Sequence, residues 1–489
     1  MKYSFPDLSA INWEKLAQDY FKATQKRKVA ESGKSYQTCV TGIPQIPSSI
    51  TLRDYQQTAV ISWFRNRGRG TLKMATGSGK TITALAITTE LYNKIGLQVL
   101  LVLCPYRHLV TQWAKECERF NLNPILAFES VYTWQRDLSS QLYNLRSEQQ
   151  SFVTVITTNS TLMTEGFQSQ LKFFPEKTLI VGDEAHNLGS PRLEENLPRK
   201  IGLRLALSAT PERYFDDQGT DAILAYFGAI LQPEFTLANA IEKGALVRYL
   251  YYPVWVQLTA AEALTYAKLT KRIGWALNNN ENLLQNETLT SLLMQRSRLI
   301  GAASNKLAAL RDLMSERLDT HHTLFYCGDG YVDNSSAAYR RQIAAVTRLL
   351  GLELGYRVTT YTADTPLAER EKIREQFEKR ELQGLVAIRC LDEGVDIPSI
   401  ETAIILASSG NPRQFIQRRG RILRPHPQKK RATLFDMIVM PPELERETWE
   451  IERNLLRKEL KRFMEFAQLA DNADEAEKQF LDVQEKYEL

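Results

Sequence analysis

Eight residues, Met74-Ala75-Thr76-Gly77-Ser78-Gly79-Lys80-Thr81, limit what this chain can fold into more than any other stretch. Gly70-Thr71-Leu72-Lys73 before them is a short strand candidate, and Ile82-Thr83-Ala84-Leu85-Ala86-Ile87 after them opens a helical pattern. The spacing predicts a glycine-bearing loop that feeds a helix N-terminus. Such a loop turns backbone N–H groups toward an anion, and the helix dipole adds to the attraction. On this reading Thr76, Gly77, Ser78 and Gly79 cradle phosphates, Lys80 reaches the outer ones, and the Thr81 hydroxyl sits on Mg²⁺. The strict pattern has Gly at its first position, where this chain has Met74. Taken alone, the octamer also reads as a Gly/Ser turn before a surface helix.

At 489 residues, with 43% hydrophobic and 24% charged, the chain is too long for one core and predicts several globular domains. The net charge of +5 is too small to argue for nucleic acid by itself. The last 49 residues carry 8 Lys and Arg against 14 Asp and Glu, which leaves the preceding body moderately basic. A basic body of this kind is compatible with a phosphate-lined partner. Cys39, Cys104, Cys117, Cys327 and Cys390 form no Cys-x-x-Cys pair, which predicts reduced cysteines and no zinc or iron–sulfur site. No apolar run approaches the ~20 residues that span a bilayer, and no signal-peptide core stands at the N-terminus. A soluble, cytoplasmic protein with no membrane partner is the expectation.

In chain order, residues 1–48 read as an N-terminal extension with an amphipathic helix over 12–24, its apolar face carrying Trp13, Leu16, Tyr20 and Phe21. Residues 49–231 then alternate strand and helix patterns, with strands expected at 99–104, 152–157, 179–181 and 203–207. These runs are apolar throughout, as parallel strands covered on both faces should be. Residues 232–318 read as a mainly helical connector, with one strand-like run at 249–258. A second alternating block follows over 319–440, with strands expected at 323–326, 358–361, 385–388, 403–406 and 433–437. Residues 441–489 form a helical C-terminal segment whose stripe Trp449, Leu456, Leu460, Phe463, Ala467, Ala470 is suited to packing on a neighbour. The expected fold class is therefore α/β, with two tandem parallel-sheet lobes.

Asp183-Glu184-Ala185-His186 directly follows the strand pattern 178–182. A carboxylate at the end of a buried parallel strand sits at the sheet edge where ligands bind. Asp183 is placed to hold Mg²⁺, and Glu184 to orient and deprotonate a water that attacks a γ-phosphate. Ser208-Ala209-Thr210 follows the next strand, and its hydroxyls at Ser208 and Thr210 are candidates for coupling the acidic site to the other lobe. In the second block, Gln417-Arg418-Arg419-Gly420-Arg421-Ile422-Leu423-Arg424 places four arginines in seven residues on an expected helix. Guanidinium forks suit phosphate oxygens. Arg421 and Arg424, three apart, would share a face and act as fingers on the γ-phosphate, with Gln417 and Arg418 in the coupling role. Asp392-Glu393-Gly394-Val395-Asp396-Ile397-Pro398 precedes them; its carboxylates, Asp396 among them, could sense ribose or nucleic acid, or the stretch could be a structural turn.

The ordered set Leu52-Arg53-Asp54-Tyr55-Gln56, 75–81, 183–186, 208–210, 392–398 and 417–424 resembles the superfamily 2 helicases and translocases over roughly residues 50–435. That family tolerates a non-Gly residue at position 74. The resemblance implies tandem RecA-like lobes, ATP and Mg²⁺ as cofactors, and adenine contacts from Gln56 and Arg53. The Gln-Arg-x-Gly-Arg-x-x-Arg form is closer to the XPB-like and restriction-translocase branch than to the DEAD-box RNA helicases, and the acidic motif is of DEAH form. It implies an ATP-dependent DNA helicase or translocase whose nucleic acid crosses the loops carrying Arg107, Thr158 and Thr362. An RNA helicase, or a nucleotide-switched subunit of a repair, restriction or phage-defence complex, remains open at this stage.

Overall fold

The computed structural model describes residues 11–27, 41–213, 216–278, 287–328, 342–362, 365–388, 397–407, 412–440 and 449–487. Asp396, with the whole of 389–396, lies outside the described residues, as do Cys39 and Cys390. The chain divides into two compact units, Met1–Ala240 and Ile241–Leu489. Each is described on its own.

The first unit holds strands β1 (Arg69–Lys73), β2 (Val99–Cys104), β3 (Pro124–Ala127), β4 (Val153–Thr158), β5 (Thr178–Gly182) and β6 (Leu203–Ser208). They form one sheet in the order β1-β6-β5-β2-β4-β3, and every pairing is parallel. The Val/Leu runs of β2, β4, β5 and β6 are buried along their whole length. That is the consequence of covering both faces of the sheet with helices. Leu101, Val155, Ile180, Leu138 and Phe227 lie in the core on one side. The N-terminal helix Trp13–Arg27 docks on this unit: Trp13 meets Trp63 edge-on at 6.3 Å and Tyr20 meets Phe64 at 6.3 Å. Of its expected apolar face, Phe21 is instead exposed.

The second unit holds β7 (Arg248–Gln257), β8 (Thr323–Cys327), β9 (Val358–Tyr361), β10 (Gly384–Ile388), β11 (Thr402–Ile405) and β12 (Arg431–Met440). Its sheet runs β7-β12-β11-β8-β10-β9, again parallel throughout. Two parallel six-stranded sheets with surrounding helices are the tandem RecA-like architecture.

The structure distributes the expected 232–318 connector differently. Phe235 belongs to the first unit, where its N–H donates to Lys73 O at 3.0 Å and its ring stacks on Tyr55. The strand-like run becomes β7, paired with β12 over ten residues from Arg248↔Arg431 to Gln257↔Met440. The helical part, Ala260–Asn278, Glu287–Gly301 and Asn305–Ser315, belongs to the second unit. The C-terminal helix Trp449–Ala467 packs Leu456 and Leu460 beside Met440, and Phe463 near Tyr251 and Trp255. Its stripe therefore covers β7 and β12. Cys104, Cys117 and Cys327 are free and buried. Among the described residues no helix is long and apolar enough to cross a membrane.

Candidate active site

Because the first sheet is parallel, its strands all end at one edge, and the register aligns those ends: Lys73 with Ser208, Gly182 with Ala206, and Leu103 with Gly182. The loop after β1, the acidic residues after β5 and the hydroxyls after β6 emerge there together.

The phosphate loop runs from Met74 to Gly79, and its helix is Lys80–Ile95. Gly77 and Gly79 have φ of 84° and 85°, a left-handed conformation that L side chains rarely adopt. The hydroxyls of Thr76 and Ser78 are buried and have no hydrogen-bond partner. Buried hydroxyls left this way are costly unless a ligand takes them. Together with the glycine nest they fit a polyphosphate. Lys80 Nζ folds back to donate to Met74 O at 3.2 Å, and Thr81 follows it on the first turn of the helix.

The loop is braced from helix Asp54–Arg65. Tyr55 OH donates to Ser78 O at 2.7 Å and Gln56 Nε2 to Gly79 O at 3.2 Å, while Arg53 N donates to Gln56 Oε1 at 2.9 Å. The Tyr55 ring stacks on Phe235 at 3.8 Å. Gln56 therefore grips the loop itself and keeps one amide N–H to spare. The guanidinium of Arg53 lies outward, 3.5 Å from Tyr55 OH. Sequence reading assigned Tyr55 no role; its place beside Gln56 on a helix facing the loop was the available signal.

Asp183 is buried at the end of β5. Its Oδ2 accepts from the Trp113 indole at 2.8 Å and its Oδ1 from Glu184 N at 3.0 Å. Burial, then the neighbouring Glu184 carboxylate, pushes its pKa up to about 6 against the pull of Trp113 and Lys80. A buried carboxylate pushed up in this way, within reach of the Lys80 charge, suits a hard divalent cation such as Mg²⁺. Trp113 was missed from sequence because it reads as the core position of an amphipathic helix.

Glu184 has φ 43°, ψ 53°. That is a sparsely populated conformation for a non-glycine residue, and it turns the chain sharply at the end of β5. Its Oε2 lies 3.6 Å from His186 Nδ1, which also contacts Ser208 Oγ at 3.2 Å. Ser208 Oγ accepts from Thr210 N at 3.1 Å, and Met74 N donates to Ser208 O at 3.0 Å. Ser208 thus joins the acidic motif, the loop and Thr210, whose own hydroxyl is buried without a partner. Arg213 Nη1 closes the group on His186 O at 2.5 Å.

The remaining predicted residues fall as follows. Arg107 is exposed and paired with Glu129 at 3.4 Å. Thr158 is buried, and its hydroxyl caps the short helix Asn159–Leu162 by accepting from Thr161 N at 3.2 Å. Thr362 N donates to Thr365 Oγ1 at 3.1 Å in a local turn. In the second unit the arginine helix spans Pro412–Ile422 and buries Gln417, Arg419 and Arg421. It ends before Arg424, so Arg421 and Arg424 do not share a helical face; Arg424 N instead donates to Arg421 O at 3.3 Å. Burial draws the Arg424 guanidinium down to about 10. The Arg418 side chain lies outside what the structure describes.

The family model described as the type III restriction enzyme res subunit matches residues 49–213, and that of the helicase conserved C-terminal domain matches 305–426. Together they span the first sheet, strands β8 to β11 of the second, and all six quoted motifs. This chain belongs to the superfamily 2 helicases and translocases, on their XPB-like and restriction-translocase branch. Among relatives, it is 28% identical over 416 residues to the DNA 3'-5' translocase XPB2 of Sulfurisphaera tokodaii, covering 81% of this chain and 83% of that one. It is 26% identical to a putative DNA 3'-5' helicase Rad25 of Haloarcula marismortui, with 77% of this chain matched and about half, 51%, of the relative. Among solved structures, the type ISP restriction-modification enzyme LlaBIII bound to DNA aligns with 86% of this chain and 30% of its own at TM-score 0.56 and 19% identity. The Pyrococcus furiosus Hef helicase domain aligns with 84% of this chain and 100% of its own at TM-score 0.51 and 16% identity. At these identities the two structures speak for the fold alone.

Proposed function

We propose that the chain is an ATP-driven motor on DNA, a helicase or translocase that couples hydrolysis to movement along the strand. The observation that carries this reading is the aligned sheet edge that gathers the unpartnered Thr76 and Ser78 hydroxyls, Lys80, Asp183, Glu184 and Ser208. Names of the relatives support DNA as the partner and a 3′ to 5′ polarity.

In this reading the loop N–H groups and the Thr76 and Ser78 hydroxyls bind the phosphates, and Lys80 leaves Met74 O for the outer ones. The spare Gln56 N–H and Arg53 meet the adenine. Thr81 and Asp183 would hold Mg²⁺, which supplies charge neutralisation on the phosphates when bound. Glu184, as part of a DEAH-form motif, takes the proton of the attacking water. Ser208, touching His186 and Thr210, reports the state of the acidic motif to the rest of the unit. Arg421 is read as the guanidinium that stabilises charge on the γ-phosphate, and such a finger is worth about 10³–10⁵ in turnover in well-studied nucleotide hydrolases. Arg107, exposed at the start of the helix that follows β2, contacts phosphates of the nucleic acid. The buried free thiols support a reducing, cytoplasmic setting.

Steady-state ATPase, measured alone and then with single-stranded DNA, duplex DNA and RNA at one fixed low salt, tests the reading. Stimulation by DNA is expected. Stimulation by RNA alone would replace the motor's track, and no stimulation by any of the three would replace the motor with a switch.

A further inference from the structure

The arginine helix of the second unit ends in an unusual way. Its last residue is Ile422, and after Leu423-Arg424 the chain makes a tight turn in which Lys429 N donates to His426 O at 2.9 Å before entering β12. That turn sends the Lys429 side chain inward, where it is buried. Lys429 Nζ donates to the carbonyl of Ile422 and, at 3.4 Å, to the carbonyl of Pro398. The next carbonyl, Leu423 O, accepts from Val247 N at 2.8 Å.

A helix end leaves backbone carbonyls unsatisfied and partly negative, so an ammonium there is both a donor and a counter-charge. Here that ammonium also reaches Pro398, the last residue of the carboxylate-rich stretch that precedes the helix. One side chain thus fastens together the ends of two motifs, and Arg421 is the residue immediately before the carbonyl it holds.

We propose that Lys429 is a positioning residue for ATP hydrolysis: it pins the end of the arginine helix to Pro398 and so fixes the direction in which Arg421 points. The proposal rests on the reading of Arg421 as the finger. Packing alone does not explain a lysine here, since a methionine would fill similar space without a buried charge. Burial draws the ammonium down to about 7, with Glu401 partly offsetting it. Glu401 is itself paired with His322 at 3.2 Å, and Arg380 reaches Gln428 of the turn at 3.4 Å. Among the described residues, Glu401 is the charged group that acts on Lys429, and Arg421 stands one residue before the carbonyl it holds. Loss of the proton weakens the charge-assisted bonds to both carbonyls, so turnover falls as pH rises through about 7.

The test uses full-length Lys429→Met, Lys429→Arg and Arg421→Ala, assayed for DNA-stimulated ATPase from pH 6 to 8.5 beside thermal melts. The expected result is a kcat lowered about tenfold in Lys429→Met with the KM for ATP within twofold of wild type. Lys429→Arg, which keeps its charge, recovers most of kcat and flattens the decline above pH 7. Wild-type kcat in Lys429→Met overturns the proposal. So does a loss that Lys429→Arg shares equally while both variants melt early, since that is a folding defect. If Lys429→Met does not fold, the pH profile of Lys429→Arg decides, and an unchanged profile overturns the proposal. Normal turnover in Arg421→Ala overturns the finger reading instead, whereas a defective Arg421→Ala beside a normal Lys429→Met overturns only the role of Lys429.

Discussion

The indole N–H of Trp113 is bonded to Asp183 Oδ2 at 2.8 Å, and both groups are buried. With Oδ1 taken by Glu184 N at 3.0 Å, the carboxylate plane is fixed before any cation arrives. The indole also favours the ionised form that metal binding requires, against burial and the Glu184 charge. Partners of this kind are commonly worth about 10–100-fold in metal affinity or activity. Trp113→Phe keeps the ring in the core and removes the donor. The Mg²⁺ concentration giving half-maximal ATPase at pH 7 should rise about tenfold, with the nucleotide affinity measured in the absence of Mg²⁺ unchanged. An unaltered Mg²⁺ titration would detach Trp113 from the site.

Asp183 also makes a prediction about stability. Its folded pKa of about 6 stands above the ordinary carboxylate value of 3.8. A group raised in this way binds its proton more tightly when folded, so its contribution is fully present below pH ~4 and is lost as pH climbs through 6. At pH 8 the ionised carboxylate costs up to about 3 kcal/mol. Asp183→Asn removes that cost, so the variant should be inactive yet melt higher than wild type at pH 8. The gain should shrink steadily toward pH 4. Melting curves at several pH values check both the sign and the trend.

Gly79 supplies a third. It sits at φ +85°, and a Cβ there would lie 2.6 Å from Gln56 Nε2. Gly79→Ala therefore strains the backbone and displaces the amide that holds the loop. Affinity for ATP, followed with a fluorescent analogue, should drop roughly 5- to 150-fold if loop strain and the lost bond together cost about 1–3 kcal/mol. The melt of the protein should change little. An affinity within twofold of wild type would show that the loop does not depend on this approach.

These sites differ in how far sequence revealed them. The buried strands declared themselves through apolar runs such as Val99–Cys104, and the ligand loops followed because each sits at the end of such a run. β3 escaped notice, being four residues that begin at Pro124. β7 was visible as a strand, but its partner β12 lies more than 180 residues downstream, and no local pattern encodes that pairing. Contacts across the fold were equally silent: Trp113 looked like core, Gln56 like a base reader, and nothing in the sequence singled out Lys429. The arginine motif shows the limit best, because its side chains are alike in sequence: Arg421 and Arg424 were read as fingers, Arg418 as a coupling residue, and Arg419 was given no role of its own.

The structure separates them, and the separation is testable. Arg419 donates to the Glu465 carbonyl of the C-terminal helix, and its guanidinium lies 4.7 Å over the Phe466 ring. Phe466 O in turn accepts from Tyr249 OH of β7 at 2.6 Å. Arg419 is therefore a fastener between the arginine helix and the C-terminal segment, wholly inside the second unit. Arg419→Ala would strip a partly buried carbonyl of its donor and remove the cation over the ring, a loss of about 1–3 kcal/mol. It should lower the melting temperature while the ATPase per folded molecule, measured well below the melt, stays near wild type. Arg421→Ala should do the reverse, keeping the melt and the affinity for ATP while turnover falls by at least about a hundredfold. If the two variants exchanged these behaviours, the assignment of roles within the motif would have to be exchanged as well.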